Sequence, residues 1–191
     1  HEVLTDIHDE LRGKAVLSIA AGWTMQMLQA EMAELRIELL RAMPNTPVKV
    51  GEGMTAICEE HTFSKPHFDF VMQLFSAVGR VAVVPEKLFD GVIAVSGSSP
   101  AYLYMMLEAM GDAAVREGLP WKTAYEMAAQ SMVGAAKMLL ETGEHPGMLK
   151  DAVCSPAGTT IEAVASLEKS GFRSAVMEAM AVCAEKSRQM A

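Results

Sequence analysis

The sequence predicts two successive architectures, a layered α/β sheet over residues 1–85 and an all-helical domain over residues 86–191. Three observations predict this division. Short apolar runs alternate with segments of helical period up to Pro85. After Pro85 the long segments have a helical period, and they are apolar around most of their circumference. Alternating strands and helices are typical of a sheet with parallel strands.

The first part contains four candidate strands and three candidate helices. The strands are expected at Ala15–Ala20, Ile37–Ala42, Gly51–Cys58 and Arg80–Val84, and the helices at Val3–Leu11, Thr24–Met32 and Lys65–Val78. The first run has no helical face, which favours a buried strand. The run from Gly51 follows the turn Met43–Pro47, and we expect that strand to be turned the other way. Ser64 is expected to cap the Lys65 helix.

The second part is predicted to be helical throughout. Helices are expected at Glu86–Ala94, from Ser99, at Pro120–Glu141, from Ile161 and at Phe172–Arg188. Pro100 stands at a first helical position, where its missing N–H costs nothing. Because these helices have few polar faces, they must be covered on most sides, and we infer a subunit interface built from them.

A loop that becomes a helix near residue 160 is the main candidate binding site. Thr159 with Glu162 three residues later fits a capping box. Hydroxyl groups surround Gly158 at Ser155, Thr159 and Thr160. A helix start whose backbone N–H groups are left uncovered by Gly can bind an anion. An ordinary capped helix explains the same residues, so the pattern alone leaves both interpretations open.

Two turns at the ends of predicted strands are further candidates. Ala20, Ala21 and Gly22 follow the first strand, and Asn45 lies in the turn after the second. In an open parallel sheet, ligands bind outside the carboxyl ends of the strands. Small residues would permit the close approach of a planar ring, and Asn45 offers an amide to it. Ordinary turns use the same residue types, so this alternative also stays open.

Composition excludes several classes of function. The net charge of −8 without a Lys/Arg cluster argues against binding to nucleic acid or anionic membranes. Apolar runs of about 18 residues without a charge are absent from the sequence, so no membrane span is expected. From the charged start, no signal peptide is expected. Three scattered cysteines share no metal or redox spacing, which predicts buried thiols, no metal site and a cytoplasmic location.

Eight segments, in order along the chain, resemble one known family. They are SIAAG (Ser18–Gly22), MPNTP (Met43–Pro47), GEGMTAI (Gly51–Ile57), LFSAVGRV (Leu74–Val81), SGSSPAY (Ser96–Tyr102), GAAKMLLETGEHP (Gly134–Pro146), LKDAVCSPAGTTIEA (Leu149–Ala163) and GFRSAV (Gly171–Val176). As a set they resemble the pyrroline-5-carboxylate reductases, which catalyse the last step of proline synthesis. The resemblance covers essentially the whole chain.

The resemblance implies a partial, doubly wound Rossmann domain that binds NADPH or NADH, followed by an all-α helical dimerisation domain. That domain forms an interlocked homodimer in the family, and dimers assemble further into a ring such as a decamer. The reaction implied is hydride transfer from NAD(P)H to the C=N bond of 1-pyrroline-5-carboxylate, giving L-proline.

Site residues follow by the same resemblance. The substrate carboxylate is expected at Ser155, Gly158, Thr159 and Thr160, with Val153 lining the ring pocket. The hydroxyl of Thr160 would be the donor nearest the imine nitrogen, in an orienting role, since Thr is a poor acid at neutral pH. The nicotinamide end of the cofactor is expected to face Ala20, Ala21, Gly22 and Asn45.

The chain departs from the family pattern in three respects. It begins near the helix after the family's fourth strand, without the opening strand and its Gly-rich phosphate loop and without the strand that reads the ribose phosphate. The family usually has Gly where Ser99 and Ala157 stand. Ser99 is a good helix N-cap, whereas Ala157 narrows the φ angles allowed in a turn that touches substrate.

Two other functions fit the sequence. A related imine or hydroxy-acid reductase would use a Lys of the helical domain as acid, and Lys150 is the candidate near the loop. The chain could instead be a truncated, non-catalytic dimerisation module that binds no dinucleotide. Activity with 1-pyrroline-5-carboxylate but not with hydroxy acids would distinguish the resembled reductase from the first alternative. An intact dimer that binds no NADPH on titration would support the second.

Overall fold

The structure is a computed structural model that describes residues 6–190. Tertiary contacts divide the chain into two compact units. The first unit contains the residues up to Pro100 together with those from Ala179 onward, and the second contains Ala101–Glu178. The division into sequence domains after Pro85 stays a prediction.

A four-stranded mixed sheet forms the centre of the first unit. Its strands are β1 (Ala15–Ser18), β2 (Glu38–Met43), β3 (Gly53–Cys58) and β4 (Gly79–Val84), in the spatial order β1-β2-β3-β4. β1 pairs with β2 in parallel, β2 with β3 antiparallel, and β3 with β4 in parallel. The expected reversal of the third strand is therefore confirmed, and the expected parallel pairing is found at β1–β2 and β3–β4.

Helices and single helical turns lie before, between and after the strands of this unit. They are α1 (Met25–Glu31), α2 (Lys65–Ser76) and α3 (Phe89–Val92), with 3-10 turns at His8–Leu11, Ala33–Leu35, Thr46–Val50 and Glu86–Leu88 and a π turn at Ile93–Gly97. Residues 3–5 of the first predicted helix lie outside the described residues, and the remainder contains the 3-10 turn at His8–Leu11. The single helix predicted at Glu86–Ala94 is instead divided among a 3-10, an α and a π segment.

The sheet buries apolar side chains on both faces. On β2, Leu39 belongs to a cluster with α1 and Phe89, whereas Leu40 belongs to a second cluster with Val71 of α2. Successive strand residues point to opposite faces, which is why neighbouring leucines reach different clusters. Because both faces are covered, β2 reads as a mostly apolar run without alternation. The expectation of a buried strand was made for β1 and is wrong there, because the residues of β1 are half-buried or exposed.

The start of α2 is held by a carboxylate rather than by the predicted cap. Ser64 occupies the N-cap position, but its hydroxyl caps no helical N–H. It lies 3.1 Å from Oε2 of Glu38 on β2, and the Ser64 backbone N–H donates to the same oxygen at 2.8 Å. Nδ1 of His67 lies 2.7 Å from that oxygen. These hydrogen bonds, first that of His67 and then that of the Ser64 backbone, hold the pKa of Glu38 below its ordinary value of 4.5.

We expect Glu38→Gln to make the free energy of unfolding depend less on pH in the acid range. A carboxyl whose pKa is lowered by folding stabilises the protein above its ordinary pKa, and this contribution is lost as pH falls through the lower folded value. The unfolding free energy, measured by urea titration from neutral pH down through the range below 4.5, should therefore fall less steeply in the variant. Glu52→Gln on an exposed turn is the charge-matched control. A variant that keeps the full acid slope would show that this carboxylate does not hold α2.

The second unit consists of long helices. They are α4 (Ser99–Arg116, which begins in the first unit), α5 (Trp121–Thr142), α6 (Pro146–Val153), α7 (Thr159–Lys169) and the first part of α8 (Phe172–Arg188). Gly111 of α4 faces the ring of Tyr125 on α5, and a Cβ at Gly111 would stand 2.6 Å from the ring. This close approach is the reason for Gly in the middle of a helix, where it otherwise costs about 1 kcal/mol relative to Ala.

This helical unit leaves most of its apolar side chains uncovered. Among its residues, all of them described, only the apolar side chains of Ala124 and Ala128 are buried. Large apolar side chains are exposed on several helices, including Met105, Met127, Leu140, Met148 and Met177. Large exposed apolar patches on a protein surface mark interaction sites. The inference that these helices need covering therefore agrees with their burial.

No helix among residues 6–190 combines the length and the apolar character that crossing a membrane requires. Cys58, Cys154 and Cys183 are free thiols, and the prediction of buried thiols is confirmed for Cys58 alone, because Cys154 and Cys183 are half-buried. Cys58 is fully buried, and burial raises the pKa of its thiol to about 12. It behaves as a packing residue of the core.

Candidate active site

The first candidate region lies at one edge of the sheet. The parallel register of β1 and β2, which pairs Ser18 with Arg41, brings their carboxyl ends together. The turn with Ala20 and Ala21 and the turn with Asn45 therefore leave the sheet at the same edge. Ala20 and Ala21 are exposed. Small exposed residues beside a second strand end leave room for a planar ring.

Gly22 serves the packing of this turn. It is buried, and its φ of 75° is in the left-handed region that favours Gly. A Cβ at this position would stand 3.0 Å from the backbone oxygen of Met190 and 3.1 Å from its Cβ. The sequence interpretation attributed the small residue to a ligand, whereas the structure adds the backbone near the end of α8 as a close neighbour.

Asn45 lies at the predicted edge, but both ends of its amide are used within the fold. Its Nδ2 donates to the backbone oxygen of Ser96 at 3.0 Å. Its Oδ1 accepts a hydrogen bond from the backbone N–H of Met54 at 2.9 Å. The amide that the sequence offered to a ligand therefore joins the turn after β2 to β3 and to the π turn.

Sequence reasoning missed an ion pair between the buried Arg41 and the half-buried Glu86, which lies at the start of α1. Arg41 is 5% exposed, and its Nη1 donates to Oε1 of Glu86 at 2.9 Å. The same oxygen accepts from the backbone N–H of Met25 at 2.6 Å, and the guanidinium lies 4.5 Å from the ring centroid of Phe89. Together with Thr24, whose hydroxyl accepts from the Met27 N–H, the pair fixes the start of α1. A lone Arg within an apolar strand was the signal that could have revealed it.

A second candidate region is a tight turn in the helical unit. The N–H of Gly158 donates to the oxygen of Ser155 at 3.0 Å, so Pro156 and Ala157 are the central residues of a four-residue turn. Ala157 has a φ of 57°. Turns with Pro in the second place commonly require positive φ in the third, which Gly provides without strain. Ala157, which stands where the resembled family usually has Gly, therefore has a left-handed backbone conformation.

Helix α7 begins immediately after this turn without a side-chain cap. Gly158 is the N-cap residue, and none of the side chains in the described part of the chain caps the helix. The predicted capping box is therefore wrong, because Thr159 is already helical and cannot act as N-cap. The first N–H groups of a helix have no partner within it. These free N–H groups at the start of α7 form the positive end of the helix dipole.

Glycine at position 158 also keeps space beside the turn. A Cβ there would stand 2.2 Å from Oγ of Ser155 and 3.1 Å from its backbone oxygen. Any side chain at this position would therefore displace the Ser155 hydroxyl. The turn brings together a serine hydroxyl, a bare N-cap and the first helical residues, which is a suitable arrangement for binding a small anion.

The other predicted residues surround this turn with differing exposure. Thr160 is half-buried, and Thr159 and Ser155 are exposed. Val153, the last residue of α6, is 67% exposed. Lys150 is hydrogen-bonded to Asp151, and this bond raises the pKa of its ammonium group above the ordinary value of 10.5.

We expect Ala157→Gly to raise the free energy of unfolding by about 0.5–1 kcal/mol. The left-handed region costs an L-residue roughly 1–2 kcal/mol, and the greater freedom of Gly in the unfolded chain offsets about 0.4–1 kcal/mol of the gain. Urea unfolding checks this value. Ala163→Gly, the same substitution on an exposed part of α7, should instead cost about 1 kcal/mol. Equal losses in the two variants would contradict the left-handed geometry.

Comparisons with known proteins agree over the whole chain. The sequence model for pyrroline-5-carboxylate reductase dimerisation matches residues 86–190. The pyrroline-5-carboxylate reductase of Escherichia coli strain K12 is 49% identical over 190 residues, which are 99% of this chain and 70% of the relative. That of Arabidopsis thaliana is 40% identical over 190 residues, 99% of this chain and 68% of the relative.

A solved structure has the same arrangement of elements. The crystal structure of Plasmodium falciparum pyrroline carboxylate reductase with NADP bound superposes with a TM-score of 0.91 at 33% identity. The superposition covers 99% of this chain and 76% of the other.

Proposed function

The chain belongs to the pyrroline-5-carboxylate reductase family, and from that premise we propose which of its residues serve substrate and cofactor. It is an NAD(P)H-dependent oxidoreductase of proline biosynthesis, which reduces the C=N bond of 1-pyrroline-5-carboxylate to give L-proline. The observation that carries this function is 49% identity to one such reductase over 99% of the chain.

The substrate carboxylate binds at the start of α7. Ser155, Gly158, Thr159 and Thr160 contribute the hydroxyls and backbone N–H groups that receive it. The support is the uncapped helix start after Gly158 and the space that its missing side chain leaves beside the Ser155 hydroxyl. A carboxylate there completes hydrogen bonds that the helix leaves open and interacts favourably with the dipole, by roughly 0.3–1 kcal/mol at an exposed helix start.

Thr160 orients the imine. It is the second residue of α7 and is half-buried, so its hydroxyl can donate to the imine nitrogen while the carboxylate lies on the backbone of the first turn. A hydroxyl of ordinary acidity does not supply the proton and serves instead to hold the C=N bond in place. Val153 at the end of α6 presents an exposed apolar side chain, which suits the carbon ring of the substrate.

The nicotinamide end of the cofactor lies against the ends of β1 and β2. NADPH or NADH, when bound, supplies the hydride. The exposed Ala20 and Ala21 fit a flat ring, and Gly22 keeps the turn in the conformation that allows its approach. Asn45 contributes to this end through its backbone, because its amide is already hydrogen-bonded at both ends.

The helical domain, residues 86–191, joins two chains into a homodimer, and dimers assemble into a ring such as a decamer. The support is the match of residues 86–190 to the family's dimerisation region and the apolar surface left open on α4 to α8. The remaining domain, residues 1–85, forms the cofactor-binding part. Sedimentation velocity at micromolar concentration should give at least a dimer. A stable monomer would contradict the interface.

A hydroxy-acid reductase is the less favoured alternative. Its acid would be Lys150, but the hydrogen bond to Asp151 raises the pKa of the Lys150 ammonium group and makes it a weaker proton donor at neutral pH.

Free thiols and the buried Cys58 agree with a reducing compartment, and we place the protein in the cytoplasm.

The decisive assay follows NADPH absorbance with 1-pyrroline-5-carboxylate as substrate, beside a hydroxy-acid pair. Turnover of the imine alone supports the assignment. Turnover of the hydroxy acid alone would replace it. An intact dimer that neither turns over nor binds NADPH would indicate a dimerisation module.

A further inference from the structure

The segment that leads into α4 lacks one of its ordinary helical hydrogen bonds. The π turn at Ile93–Gly97 is closed by the N–H of Ser98, which donates to the oxygen of Ile93 at 2.8 Å, five residues back. An α-helical bond to the oxygen of Ser96 would come from residue 100. That residue is Pro100, which has no N–H. The Ser96 carbonyl is therefore left without that partner.

The side chain of Asn45 supplies the missing donor. Its Nδ2 lies 3.0 Å from the Ser96 oxygen, across a sequence distance of 51 residues. Its Oδ1 is fixed in turn by the Met54 N–H at 2.9 Å, so the amide cannot turn without losing both hydrogen bonds. Both contacts are partly buried, where a lost partner leaves a polar group unsatisfied. π turns within helices are frequent at functional sites.

We infer that Asn45 is a positioning residue, whose side chain replaces the N–H that Pro100 lacks and so fixes the turn after β2. This turn is the one that faces the nicotinamide in the proposed function, on which the kinetic part of the inference rests. The inference assigns to the Asn45 side chain a contact with the π turn and not with the cofactor. The two roles differ in one testable respect. A positioning role depends on Pro100, whereas a cofactor contact does not.

A double-mutant cycle between positions 45 and 100 tests this dependence. Asn45→Asp keeps an acceptor for the Met54 N–H and removes the donor to the Ser96 oxygen. Pro100→Ala restores an N–H that can bond to that oxygen. We expect Asn45→Asp to raise the KM for NADPH about tenfold with a smaller change in kcat when Pro100 is present. In the Pro100→Ala background the same substitution should change this KM by less than about threefold, because the carbonyl has another donor.

Thermodynamic stability provides a measurement that does not need catalysis. The urea midpoint should fall more on Asn45→Asp when Pro100 is present than in the Pro100→Ala background. If Asn45→Asp does not fold, a second measurement uses Pro100→Ala, which keeps Asn45. The hydrogen exchange of the Asn45 side-chain amide, followed by NMR, should be faster in Pro100→Ala than in the unmutated protein, because the restored backbone N–H of residue 100 competes for the Ser96 oxygen.

The outcomes separate the hypotheses. Equal effects of Asn45→Asp on KM in both backgrounds would overturn the inference and make the side chain a direct cofactor contact. Equal effects on the urea midpoint, or unchanged exchange of the Asn45 amide, would also overturn it. Absence of reductase activity in the unmutated protein would refute the proposed function alone, and the unfolding cycle would still decide the role of Asn45.

Discussion

Gly79→Ala is expected to remove at least about 4 kcal/mol of stability or to prevent folding, because two backbones meet where β3 and β4 begin. Gly79 and Gly53 are register partners, and a Cβ at Gly79 would stand 2.0 Å from the oxygen of Gly53 and 2.5 Å from its nitrogen. Neither atom can move without breaking the strand pair. The φ of Gly79, 153°, is one that L side chains rarely adopt. Strain and clash therefore act on the same residue.

Two other glycines separate these causes. Gly51 has a φ of 76° with no neighbouring atom within 4 Å of its Cβ position, so Gly51→Ala should cost only about 1 kcal/mol. Gly91, on α3, also has open space and no positive φ, and Gly91→Ala should stabilise by roughly 0.5–1 kcal/mol. Urea unfolding of the three variants gives the comparison. A Gly79→Ala protein as stable as Gly91→Ala would disprove the close approach of β3 and β4.

Thr160→Val is expected to lower kcat for 1-pyrroline-5-carboxylate about 10–100-fold, while the substrate KM changes less. Valine keeps the branched shape of this half-buried residue but removes the hydroxyl that we assign to the imine nitrogen. Loss of one preorganised donor in an active site costs on the order of 100-fold or more, and an orienting bond belongs at the lower end. The carboxylate keeps the backbone N–H groups of α7, so binding is less affected. Steady-state kinetics with saturating NADPH measures both constants.

Two variants make this result interpretable. Thr160→Ser keeps the hydroxyl and should retain most of the activity. Thr123→Val on the exposed surface of α5 makes the same chemical change outside the site and should have no effect on kcat. Kinetics of Thr160→Val that match the unmutated protein would remove the hydroxyl from the reaction. If Thr160→Val, Thr160→Ser and Thr123→Val are all inactive, the loss reflects disturbed folding or subunit assembly and not the Thr160 hydroxyl.

The turns that carry the candidate site residues could be located in the sequence because their signals are local. Turn residues mark the ends of β1 and β2, and a Gly next to two Thr residues marks the start of α7. The capping box failed for an equally local reason, since shifting the helix start by one residue changes which side chain can cap. The distant partners of three side chains could not be predicted, because each lies more than 25 residues away in the sequence: Ser96 for Asn45, Glu86 for Arg41 and His67 for Glu38.

The sequence by itself determined the order of strands and helices, because apolar period and turn residues act within a few positions along the chain. It also determined the family, the positions of the exposed Ala20 and Ala21, and the excess of apolar surface on the later helices. The tertiary structure decided the engagement of the Asn45 amide, the Arg41–Glu86 ion pair and the close approach of Met190 to Gly22. These features arise only when the folded chain brings distant backbone groups together, since a buried hydrogen-bonding group must find its partner wherever the fold provides one.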